Sequence, residues 1–135
     1  MTKRVVVVDD TAFMRMTLKN MLTSLGYEVI GEGLDGVDAV SLYKRLKPDI
    51  ITMDITMPKK DGIEAVKEIL SFDPEAKVIM VSAMGQKSKV MDAVTAGAKD
   101  FIVKPFKPER INEALARLEG SDPSAAVQTN QDKSD

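Results

Sequence analysis

The chain contains no cysteine and no histidine. Without thiols there is neither a disulfide framework nor a thiolate metal site, and the composition suits a reducing cytoplasm. Without imidazole the commonest general base and metal ligand is missing, and no phosphohistidine can form on this chain. A basic excess is lacking too: 19 Lys and Arg stand against 21 Asp and Glu, a formal charge of −2, which gives no cationic surface for nucleic acid. No apolar run is long enough for a membrane span or a signal sequence, since the valines at 5–8 stop at Asp9 and Asp10. These absences predict a soluble, cytoplasmic protein that binds neither nucleic acid nor membrane. What is present suffices for one core: 135 residues, 44% of them hydrophobic, fold without staples and leave no room for a second folded domain.

Strands and helices alternate along the chain. A β-branched run over 4–9 reads as a buried first strand, and 11–25 as a helix with Phe13, Met14, Met16, Leu18, Met21, Leu22 and Leu25 at helical spacing and Gly26 as its stop. A short second strand over 27–31 precedes a helix opened by Asp35 and Gly36 and ended by Pro48. The third strand, DIITMD over 49–54, has no polar alternation, as expected of a strand covered on both faces. A helix from about 62 to 70, a strand over 77–81 ending at Ser82, and a helix over 87–96 stopped by Gly97 follow. Strand 101–103 reaches Lys104 and Pro105, and Pro108 opens a last helix closed by Gly120. Nine methionines sit mostly at core spacing on helices, which favours core filling over an adaptable groove.

Five strands, each followed by a helix across short loops, predict a doubly wound α/β fold: a five-stranded parallel sheet with helices on both faces. The folded unit spans 1–119. Residues 120–135 are polar, lack an amphipathic period and read as a disordered tail.

A parallel sheet places all strand carboxyl ends on one edge, where open α/β sheets bind ligands. Asp9 and Asp10, Asp54, Ser82 and Lys104 all fall there. Singly, each has a plain structural explanation: helix capping for the Asp pair, turn chemistry for Asp54, a local cap for Ser82, a solvated charge for Lys104. Their conjunction at one edge favours a site. Three carboxylates that close repel one another, and a hard divalent cation such as Mg²⁺ relieves the repulsion with oxygen ligands. One carboxylate is then free to attack phosphorus and form an acyl phosphate, its charge neutralised by Mg²⁺ and Lys104.

At VVVVDD, TMDITMP, VSAMG and FIVKPF the chain resembles the response-regulator receiver domains over about 3–118, in motif order and spacing as well as identity. Within them it is most similar to the free-standing, CheY-like chemotaxis regulators. The resemblance implies the flavodoxin-like strand order 2-1-3-4-5, which the strand pattern alone does not give. It implies Asp54 as phosphoacceptor, Mg²⁺ held by Asp10, Asp54 and the Thr56 backbone carbonyl, and Asp9 holding the ion through water. It implies Ser82 bonded to the phosphoryl group, Lys104 paired with it, and a cis bond between Lys104 and Pro105. Phe101 becomes the switch residue that follows Ser82, although its ring by itself fits an ordinary core aromatic. Many relatives carry tyrosine there, so a hydroxyl contact to a partner is lost. Thr56 and Met84, two residues beyond Asp54 and Ser82, stand where relatives tune acyl phosphate lifetime, and Lys87, Val90, Met91 and Val94 offer a mixed apolar and basic partner surface.

The expected function is that of a monomeric phosphoacceptor switch, not a turnover enzyme, that assists its own phosphorylation and dephosphorylation. It takes its phosphoryl group from a CheA-like histidine kinase and signals by protein contact to a FliM-like flagellar motor switch protein, with a phosphatase as a further partner. The alternatives are a stand-alone receiver in a non-chemotaxis phosphorelay, a degenerate scaffold, a flavin or nucleotide binder, and a Mg²⁺ phosphohydrolase with an aspartyl nucleophile. The binder lacks a Gly-rich phosphate loop after its first strand, and the hydrolase has Thr56 where its general acid belongs.

Overall fold

The computed structural model describes residues 2–118. Met1, the expected helix stop at Gly120 and the expected tail over 120–135 lie outside the described residues. Ten elements alternate: β1 (Arg4–Val8), α1 (Ala12–Ser24), β2 (Glu28–Gly33), α2 (Gly36–Leu46), β3 (Ile50–Asp54), α3 (Gly62–Phe72), β4 (Val78–Ser82), α4 (Lys87–Ala96), β5 (Asp100–Val103) and α5 (Pro108–Leu118). All strand pairs are parallel, in the order β2-β1-β3-β4-β5. The expected doubly wound sheet is therefore the observed one, its order included. Strand β2 runs two residues past its expected end because Glu32 and Gly33 still pair with Val7 and Val8.

The period of two along each strand divides the core into two layers. Val6, Val8, Ile51, Met53, Val78 and Met80 face α2, α3 and α4. Val5, Val7, Ile50, Ile79, Val81 and Ile102 face α1 and α5, meeting Leu18, Leu22, Ile111, Ala114 and Leu115. Central strands β3 and β4 are buried at every residue, which is why their sequences show no alternation.

The methionines correct one expectation. Buried ones are Met53, Met57 and Met80, on strands and a loop, whereas the helical Met16 and Met91 are exposed. Helix α1 buries only Leu18 and Leu22 completely, so Phe13, at helical spacing with them, is left 76% exposed. A single buried stripe two residues deep cannot take every apolar side chain of the helix.

Helices α2 and α3 open on Asp35 and Asp61, which accept hydrogen bonds from Asp38 N–H (2.8 Å) and Glu64 N–H (2.9 Å). At their far ends the Tyr43 hydroxyl donates to Asp73 Oδ2 at 2.7 Å, and its ring meets Phe72 edge-on at 6.4 Å. Burial, reinforced by the bond to Asp73, raises the Tyr43 phenol well above its ordinary value near 10.0. The protonated phenol is thus favoured in the folded protein, so its contribution is intact below pH 10 and is lost as pH climbs toward the raised value. Tyr43→Phe should cost about 1–2 kcal/mol at neutral pH, measured by urea unfolding. The deficit should shrink in titrations carried above pH 10; a deficit that grows there contradicts this account.

Candidate phosphoryl and cation site at the sheet edge

Strand β1 ends in Asp9 and Asp10, and β3 ends in Asp54. One carboxylate oxygen from each lies within 4.8 Å of the others, the single acidic trio of this kind among the described residues. Asp9 is fully buried, Asp54 is 7% exposed, and Asp10 faces solvent. Asp9 is not a helix cap. Its Oδ1 accepts from both the backbone N–H and the hydroxyl of Thr11, each at 2.9 Å, while Thr11 stands at the N-cap of α1 without a capping bond of its own. Arg15, one turn into α1, donates to the Asp9 carbonyl at 2.8 Å and pairs with Glu32. The backbone under the trio is therefore pinned from the α1 side.

Lys104 lies across the trio, its Nζ 3.3 Å from Asp9 Oδ2 and 3.5 Å from Asp54 Oδ2. It follows β5, and the bond to Pro105 is cis, as the motif implied. One ammonium faces three acids. Burial pushes the Asp54 carboxyl above the ordinary carboxylate range; Lys104 opposes the shift, repulsion from Asp9 and Asp10 adds to it, and the hydrogen bond from Thr56 N–H opposes it. An all-oxygen acidic set with one carboxylate held in an unfavourable charged state suits a hard divalent cation.

Alternation sorts the site by face. Asp54 and Lys104 share strand parity with Ile50 and Ile102, and Asp9 continues that of Val5 and Val7, so the charged group belongs to the α1 and α5 side. Ser82 shares parity with Val78 and Met80 on the opposite side. Its hydroxyl is buried and has no hydrogen-bond partner among the described residues. Phe101 packs against that same layer, and Ser82, Phe101, Val90 and Met91 line a cavity of about 240 Å³.

The remaining expected residues are scattered more widely. Thr56 and Met84 are exposed, and Thr56 Oγ1 is bonded to Gln86, a contact with no counterpart among the sequence expectations. Lys87, Met91 and Val94 lie on the exposed side of α4, but Val90 is 6% exposed and belongs to the core. Thr11, Arg15 and Gln86 were missed because short polar contacts of this sort leave no periodic trace. Gly62 leaves no signal either: a Cβ there would clash with the Asp54 carbonyl oxygen, so its lack of a side chain lets α3 start against the strand end that carries Asp54.

The family model described as response regulator receiver domain matches residues 5–116. The chain belongs to the receiver-domain family. Among similar proteins, this receiver is 61% identical over 118 residues to the chemotaxis protein CheY of Thermotoga maritima, covering 87% of this chain and 98% of that protein. It is 56% identical over 115 residues to CheY of Bacillus subtilis, covering 85% and 96%. The crystal structure of a CheX–CheY–BeF3–Mg complex from Borrelia burgdorferi superposes with a TM-score of 0.83 at 40% identity, covering 87% and 89% of the two chains. Receiver domains are signalling switches, and no helix among the described residues is long and apolar enough to cross a membrane.

The raised Asp54 value carries a stability consequence. Because the folded protein holds that proton more tightly than the unfolded chain does, keeping Asp54 ionised opposes folding at neutral pH, and the opposition fades as pH falls through the raised value toward 3.8. In metal-free buffer at pH 7, Asp54→Asn should melt at a higher temperature than the parent, and the advantage should narrow as pH approaches 4. Equal melting temperatures at pH 7 contradict the burial and repulsion that raise the Asp54 value.

Proposed function

We propose that the protein is a single-domain chemotaxis response regulator that accepts a phosphoryl group on Asp54 from a CheA-like histidine kinase. The observation that carries this reading is the buried Asp54 carboxylate within 4.8 Å of two further acids and 3.5 Å from the Lys104 ammonium. An Asp54 oxygen attacks phosphorus, the bond from phosphorus to the donor imidazole nitrogen breaks, and that nitrogen takes up a proton, leaving an acyl phosphate. Asp10, Asp54 and the Thr56 backbone carbonyl would hold Mg²⁺ directly, with Asp9 acting through water. When bound, the ion supplies positive charge to the equatorial oxygens and screens the carboxylates. Lys104 moves from pairing with Asp9 and Asp54 to pairing with the phosphoryl group. Ser82, whose hydroxyl lacks a partner, donates to a phosphoryl oxygen, and Phe101 turns into the space vacated beside it.

Phosphorylation brings about −1.5 to −2 charges and three acceptor oxygens to a site that is already acidic. The signal leaves through α4, where Lys87, Met91 and Val94 are exposed, to a flagellar motor switch protein of FliM type. A CheX-like partner is a further expectation, since a CheY occurs with CheX in the related complex. The phosphohydrolase alternative is disfavoured at Thr56, whose hydroxyl contacts an amide and supplies no acid.

Incubation with Mg²⁺ and acetyl phosphate should add one phosphoryl mass to the parent and none to Asp54→Asn, read by intact mass spectrometry. No gain in the parent, or equal gain in both, ends this reading. Once the donor is removed, Thr56→Asn and Met84→Glu should lose that mass at rates different from the parent; identical rates remove both residues from control of lifetime.

A further inference from the structure

Two loops flank Asp54, residues 55–61 after β3 and 83–86 after β4, and one side chain joins them. Gln86 Nε2 donates to Thr56 Oγ1 at 2.8 Å, and Gln86 Oε1 accepts from Ala83 N–H at 2.8 Å. Gln86 occupies the N-cap of α4 yet makes no capping bond to its own helix. Asp35 and Asp61, in the same position on α2 and α3, do make one. The amide of Gln86 is instead committed to the two loops.

The groups it holds are next to the reacting carboxylate. Thr56 N–H favours the charged form of the Asp54 carboxylate. Val81 is the register partner of Asp54, and its carbonyl accepts from Ile55 N–H at 3.2 Å. Ser82 and Ala83 therefore come directly after the residue level with Asp54. A phosphoryl group on Asp54 would present three acceptor oxygens at this strand end, where Ser82 Oγ has no partner and Ala83 N–H is taken by Gln86.

Resting on the assignment of Asp54 as phosphoacceptor, we propose that Gln86 is a positioning residue that latches the two loops together in the unphosphorylated protein and releases Ala83 N–H to the incoming phosphoryl group. Gln86 and phosphoryl oxygen compete for one donor. Release also detaches the loop that leads into α4, so the start of that helix is freed without any displacement of the buried strands. Because the latch is closed only before transfer, its loss at Gln86 accelerates phosphorylation and leaves dephosphorylation alone, whereas a change at Thr56 also alters lifetime. A pair of exposed neutral hydrogen bonds corresponds to about a fivefold change in rate.

The test measures the rate of phosphoryl gain from acetyl phosphate with Mg²⁺, and the rate of loss after donor removal, in the parent, Gln86→Ala, Thr56→Val and the double variant. Gln86→Ala should gain the group about fivefold faster and lose it at the parental rate. Thr56→Val should also gain it faster, and the double variant should be no faster than Gln86→Ala, because both changes open one latch. Amide hydrogen exchange at Ala83 should quicken in Gln86→Ala before any phosphodonor is added. Parental or slower gain in Gln86→Ala, rates that multiply in the double variant, or unchanged Ala83 exchange each overturn the latch. A parent that gains no phosphoryl group overturns the phosphoacceptor assignment instead, while the exchange measurement still judges the contact itself.

Discussion

The burial of the Asp54 carboxylate, with Asp9 and Asp10 repelling it and one ammonium beside it, is the constraint on which the site depends. Exposed acids would turn away from one another into water. Asp9 and Asp54 cannot, because each continues a strand whose residues are buried, and Asp9 is further tied by Thr11 and Arg15. Folding therefore fixes an electrostatic configuration that a cation relieves, and it places one carboxylate where phosphorus chemistry can use it. The core supplies the rigidity and the strand ends supply the chemistry.

The strand period adds a second organising feature. Charged residues of the site, Asp9, Asp54 and Lys104, belong to the α1 and α5 side of the sheet, whereas Ser82 and Phe101 belong to the α4 side. On the α4 side the Ser82 hydroxyl, without a partner among the described residues, lies next to a cavity lined by Phe101 and Met91. In the proposed switch, an event at the acids reaches α4 around the end of β4. The Gln86 contacts lie on the same route.

Much of this was legible in the sequence because it depends on pattern. Runs such as VVVV and DIITM report burial on both faces, and parallel strands bring their ends to one edge, so Asp9, Asp10, Asp54, Ser82 and Lys104 could be gathered before any coordinates. Strand order was available only from resemblance, since local pattern carries no information about which strand neighbours which. Side-chain burial on helices was less legible. Val90 and Met91 are adjacent apolar residues on α4, yet the first is in the core and the second in solvent, a difference fixed by how the helix is rolled against the sheet. The reach of Gln86 to Thr56, thirty residues away, is a tertiary contact with no periodic signature.

The most direct test of the central claim is an NMR titration of the Asp54 side-chain carboxyl carbon in metal-free buffer and again at saturating Mg²⁺. The account predicts a midpoint above the ordinary carboxylate range without the ion and a midpoint shifted well downward with it. An ordinary midpoint in metal-free buffer, or one that Mg²⁺ leaves in place, contradicts the claim that burial and repulsion among these acids prepare the site.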